Sequence, residues 1–154
     1  MNIIRRLCTR TTYNHLDVDY LDNVDYHDTV HYVPQLTCGK VVKVYDGDTI
    51  TIASRLPGND TIYRFSIRLA GIDTPEIKTV NKMEKERAVF VRDKLYDLIF
   101  GKIVMLKNIS IEKYGRILAD IYLDVLHVNE YMIQHNYAYK YNGGKKQHFN
   151  EITT

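Results

Sequence analysis

Arg68-Leu69-Ala70-Gly71-Ile72-Asp73-Thr74-Pro75-Glu76 carries the end of a strand into a turn that holds an arginine, two carboxylates and a hydroxyl. Thr74-Pro75 forces the turn, because proline disfavours the helical region for the residue before it and has no N–H to continue a ladder. Upstream, Thr61 to Leu69 alternates, with Ile62, Phe65, Ile67 and Leu69 mostly on one face and Tyr63, Arg64, Ser66 and Arg68 outside that set. Arg68 therefore points away from the core side of its strand. Asp73 and Glu76 project from a loop on a stiff base, the placement from which most catalytic groups act.

Working back from that stretch, Lys40 to Tyr45 and Thr49 to Ala53 are β-branched runs separated by Asp46-Gly47-Asp48, a hairpin signal with glycine available for a positive φ. Pro57-Gly58-Asn59-Asp60 is the next turn. Working forward, Asn81 caps a helix, with Glu84 three residues on reaching back to it. Phe90, Val91, Leu95, Leu98 and Ile99 recur at helical spacing as its core face, and Gly101 ends it in the left-handed region. Lys102 to Ile111 and Ile117 to Leu123 read as strands around the tight turn Glu112-Lys113-Tyr114-Gly115-Arg116. Asn129 caps a short helix through Gln134, and Tyr137 to Tyr141 is a last extended piece. Three strands, a helix, two strands and a short helix make an α+β chain. Short strands with only local helices favour a small closed barrel over a doubly wound parallel sheet, and the five-stranded oligonucleotide-binding barrel (OB-fold) is the expected architecture.

The domain occupies residues 37–154. Residues 1–36 repeat Asp, Tyr, Val and His without helical or strand period, contain no glycine and no clear cap, and read as a flexible extension. That extension holds three arginines and five aspartates, a net of −2 within a total of +2, so the remainder carries +4. A mildly basic body suits a polyanionic partner. Cys8 and Cys38 are too few for a disulfide scaffold or a zinc site and read as free thiols in a reducing compartment. With no run of membrane-spanning length and no signal-peptide core at the start, the chain reads as soluble, intracellular and monomeric, with no obligate protein partner.

Asp48, Asp73 and Glu76 are carboxylates placed for one site, and oxygen ligands without nearby His or Cys point to calcium or magnesium, with calcium the more tolerant of irregular geometry. Read alone, Asp46 and Asp48 are ordinary turn residues. Arg68 and Arg116 are planar, permanently charged donors suited to gripping a phosphate, whose own charge otherwise repels a nucleophile.

Asp46-Gly47-Asp48-Thr49, Arg68-Leu69 followed by Asp73-Thr74-Pro75-Glu76, Lys113-Tyr114-Gly115-Arg116 and Val128-Asn129-Glu130 stand in order and at a spacing that resembles the thermonuclease family, the staphylococcal nuclease-like domains, over residues 39 to about 141. The resemblance implies a calcium-dependent phosphodiesterase on an oligonucleotide-binding barrel that cuts DNA or RNA and leaves 3′-phosphates. It casts Asp48, Asp73 and the Thr74 carbonyl as calcium ligands, Glu76 as general base, and Arg68 and Arg116 as the phosphate grip. Lys113 and Tyr114 match nucleotide-contacting positions, and one or more of Tyr137, Tyr139 and Tyr141 is expected to stack on a base, with Tyr139 counted among the substrate-binding residues. A slightly shorter link from Glu76 to the helix, and residues 145–154 in place of a long C-terminal helix, depart from the family pattern. A noncatalytic OB-fold module for nucleic acid or peptide is the competing class, disfavoured by the presence of all five chemical residues.

Overall fold

In the computed structural model the described residues are 21–112 and 115–143, and the chain divides into two compact units, residues 1–32 and 33–154. Within the described part of the first, Tyr26–Asp28 form one 3₁₀ turn. Asp25 accepts from the His27 and Asp28 amides at 2.7 and 3.3 Å, and Asp28 accepts from the Asp25 amide at 3.1 Å. This reciprocal cap corrects the expectation that the extension holds none.

The second unit opens with β1 (Cys38–Asp46), β2 (Thr49–Arg55), β3 (Ile62–Leu69) and β4 (Ile72–Asp73). After α1 (Lys82–Ile99) come β5 (Ile103–Ile111), β6 (Ile117–Leu123), β7 (Leu126–His127), α2 (Val128–Gln134) and β8 (Tyr139–Lys140). The main sheet runs β3-β2-β1-β5-β6-β7, and a parallel pairing of Ile67, Arg68 and Leu69 with Ile117, Leu118 and Ala119 joins β3 to β6. That pairing closes five strands into a barrel and abolishes two sheet edges. The expected oligonucleotide-binding barrel is borne out.

Alternation sets the barrel's inside. Val41, Val44, Ile50, Ile52, Ile67 and Leu69 point inward and are almost wholly buried, while Arg68 faces outward as expected. On α1, Ala88, Val91, Leu95 and Ile99 are fully buried, each of the larger side chains contributing roughly 1.5–3 kcal/mol. Phe90 does not lie on the core face that its helical spacing predicts. It is 43% exposed, lies edge-on to Tyr137, and has Arg87 and Lys94 over its ring at 5.2 and 5.3 Å. Asn81 caps α1 by accepting from the Met83 and Glu84 amides. Glu84 does not reach back to Asn81; it accepts from the Thr79 hydroxyl at 2.9 Å, and that hydroxyl accepts from the Asn81 amide. Gly101 takes φ +75° where the helix ends. Among the described residues no helix is long and apolar enough to cross a membrane.

Candidate active site

Arg68 is the centre around which three segments converge. It leaves the outer face of β3 opposite Thr49, and the β1–β2 turn is stitched to it by the Leu69 amide donating to the Asp48 carbonyl at 2.8 Å. The Thr49 hydroxyl donates to Asp48 Oδ1 at 2.9 Å, which fixes the carboxylate's orientation. Asp48 Oδ2 then lies 2.5 Å from Arg68 Nη1. From the other side Asp73 Oδ1 accepts from Arg68 Nη2 at 2.9 Å, with the Ile72 carbonyl at 3.3 Å. One guanidinium thus bridges two carboxylates, both nearly buried.

The turn reaches this position because of Gly47. A β-carbon there would sit 2.5 Å from Val91 Cγ1 and 3.0 Å from Thr74 Cβ, so only glycine lets the hairpin tip nest against α1 and the Asp73-Thr74 loop. Its φ is not positive; close approach, not the left-handed conformation expected of it, explains the residue. Asp73 is held from behind by β8, where Ile72 pairs with Lys140 and Asp73 with Tyr139. Asn129 completes the support. It does not cap α2, whose N-cap is His127 without a side-chain bond. Buried instead, it donates to the Ala70 and Ala119 carbonyls at 2.8 and 3.3 Å and accepts from the Ile121 amide at 3.0 Å, binding the loop after β3 to β6.

Burial dominates the electrostatics of Asp48 and lifts its pKa to about 6. The Arg68 charge opposes this, the neighbouring Asp46 carboxylate reinforces it, and the Thr49 hydroxyl pulls it back. On Arg68 burial works against the charge, but Asp48, Asp73 and Glu112 together outweigh it and hold the pKa above its usual value. Arg116 pairs through Nε with Glu112, and shares a cleft of about 260 Å³ with Asp46 and Thr49. Glu112 therefore touches one arginine and acts on the other, a role not foreseen although its spacing four residues before Arg116 could have signalled it. Asp46, read as a turn residue, has its Oδ1 buried without a hydrogen-bond partner beside Asp48.

Arg68, Asp48, Asp73 and Thr74 are thus brought together. Arg116 stands across the adjoining cleft, and Glu76 lies exposed three residues beyond Asp73, just past the buried Thr74-Pro75. Tyr139 is half-buried in β8, Tyr141 donates its amide to the Gly71 carbonyl at 2.9 Å, and Tyr137 lies among Phe90, Tyr131 and His135. Lys113 and Tyr114, like residues 1–20 and 144–154, lie outside the described residues. Among the described residues no three His, Cys, Asp or Glu side chains cluster as metal ligands. What the site offers a cation is a pair of buried carboxylates on two loops with the lone Asp46 oxygen nearby, a hard oxygen set that fits calcium or magnesium and not a soft metal.

Residues 66–153, more than half of the chain, match the family model described as staphylococcal nuclease homologue. The chain belongs to that family. The staphylococcal nuclease match spans Arg68, Asp73, Glu76 and Arg116, while Asp48 lies before it. Similar proteins include an uncharacterised endonuclease of Escherichia coli, 34% identical over 67% of this chain and 60% of its own length. Another from Haemophilus influenzae is 36% identical over 68% of this chain and 52% of its own. A micrococcal nuclease of Shigella flexneri is 33% identical over 68% of this chain and 60% of its own. The chain thus spans between about half and three fifths of the length of these relatives.

Proposed function

We propose that this protein is a calcium-dependent phosphodiesterase that hydrolyses DNA or RNA as a monomer, leaving 3′-phosphate and 5′-hydroxyl ends. The observation that carries the reading is the Arg68 guanidinium held between Asp48 and Asp73 from two separate loops, with Arg116 beside the same hairpin. A binding module needs neither buried like charges nor a second arginine fixed by its own carboxylate, since burying charge is costly. Membership in a family whose relatives are named endonucleases and nucleases supports the same conclusion.

In this reading Asp48, Asp73 and the Thr74 carbonyl hold the cation, which when bound neutralises phosphate charge and polarises the P–O bonds. Arg68 and Arg116 direct N–H groups at the nonbridging oxygens, where negative charge grows as phosphorus becomes five-coordinate, and each such donor contributes about 10²- to 10³-fold. Glu76, exposed just past Pro75, accepts a proton from the attacking water. The water oxygen bonds to phosphorus as the P–O5′ bond breaks. The departing oxygen takes up a proton as the 5′-hydroxyl, and Lys113, Tyr114 and Tyr139 contact the flanking nucleotide.

Incubation of the purified chain with plasmid, single-stranded DNA and RNA, in calcium and then in chelator, tests this. Chelator-sensitive degradation with 3′-phosphorylated ends is expected, and Glu76→Gln should lose about 10²- to 10⁴-fold in rate. Binding without degradation, or a folded Glu76→Gln protein that digests DNA like its parent, overturns it.

A further inference from the structure

The outer face of β1–β2–β3 carries cations in register rows that lead away from Arg68. Arg68 pairs across to Thr49 and Asp46; two residues along, Ser66 pairs to Thr51 and Lys43; two further, Arg64 pairs to Ala53 and Lys40. Two residues of strand advance about 6.6 Å per row, commensurate with successive backbone units of an extended single strand. Lys40 and Lys43 lie three apart, an odd spacing that in a regular strand puts side chains on opposite faces. The bulge between Val41 and Lys43 returns Lys43 to the outer face, and the next, between Val44 and Asp46, leaves Tyr45 standing out at 43% exposure. Both irregularities thus act to collect polar and aromatic groups on one surface.

Between the first two rows lies the cleft of about 260 Å³, lined by Lys43, Tyr45, Thr51, Ser66, Arg116 and, as its one carboxylate among the described residues, Asp46. Lys43 Nζ sits 5.6 Å from the centre of the Tyr45 ring. Lys40, Lys43, Arg64 and Ser66 are exposed, and among the described residues none of the three cations has a carboxylate within 4 Å. Surface cations without acidic partners and an exposed ring beside them are what a polynucleotide needs, phosphates on the cations and a base on the ring.

We propose that this face is an extended binding track for the single strand beyond the scissile phosphate, with Tyr45 stacking a base, Lys43 holding the next phosphate and Arg64 with Lys40 the one after. The track rests on the nuclease reading for its connection to cleavage but not for its binding. Lys43→Gln/Arg64→Gln protein, its fold checked by thermal melting, is compared with the parent in two assays. Anisotropy of a labelled ten-nucleotide DNA strand, measured in the Glu76→Gln background in calcium, should weaken about tenfold, with a slope of log affinity against log salt smaller by about 1.4, two contacts at roughly 0.7 each. Hydrolysis of a dinucleotide should stay within about twofold of the parent while the ten-nucleotide strand is cut about tenfold less efficiently at limiting concentration. Unchanged affinity for the ten-nucleotide strand, no binding of it by the parent, equal binding of a polyglutamate peptide of matched charge, or equal losses on both substrates would overturn the track. If the parent cuts neither substrate the nuclease reading falls, and the anisotropy arm still decides the surface.

Discussion

Burial and the Arg68 charge pull the Asp48 carboxyl in opposite directions, and burial prevails. Because burial raises the folded pKa of Asp48 to about 6 from 3.8, the folded protein binds more protons than the unfolded chain between those values. Stability of the metal-free protein should therefore fall as pH rises through that window, by about 3 kcal/mol in all, and flatten above it. Denaturant titrations in chelator from acid to neutral pH check this against Asp48→Asn, whose curve should lack the slope. Arg68 is the compensating charge for two buried carboxylates, so Arg68→Ala should cost about 3–5 kcal/mol in chelator. Much of that should return on adding calcium, read as a rise in melting temperature larger than the parent's, while activity stays about 10²- to 10³-fold down.

At the scale of elements, what decides the site is how three turns are fastened. Gly47→Ala drives a methyl group into Val91 and Thr74, and overpacking of this kind should cost about 1–3 kcal/mol, measured by urea unfolding, and weaken cleavage by displacing Asp48. Asn129→Ala leaves the Ile121 amide and the Ala70 carbonyl without their side-chain partner, and should cost about 3 kcal/mol in the same measurement. The elements themselves were legible from sequence where a period ran long enough to speak: the alternation of β3, the hairpin of β1 and β2, and α1 with its Gly101 stop. What was not legible was direction and company. Asn129 has the chemistry of a cap and stands one residue inside a helix, yet it is turned inward by carbonyls that only the barrel's closure brings near. β4, β7 and β8 are two residues each, too short for any pattern. The bulges in β1 leave no mark in a sequence of small β-branched and charged residues, although they decide which way Lys43 and Tyr45 face. Arg68, Asp48 and Asp73 could be nominated from spacing, but the guanidinium lying between both carboxylates could not.

At the scale of the whole molecule, every member of the buried core among the described residues lies at Leu36 or later, and a chain beginning at Val33 is expected to unfold in one cooperative transition. Calorimetry of that chain beside the full one also measures what residues 1–32 contribute. The pairing of β4 with β8 has a further consequence for time, not energy. Two residue pairs and the Tyr141 amide join the loop that presents Asp73 to the last described part of the chain. So short a ladder opens far more often than the barrel does, and each opening loosens the support behind Asp73. The rhythm of the site is therefore set at its back: hydrogen exchange at Tyr141 should report how often Asp73 is in position, and should slow when a cation holds that loop from the front.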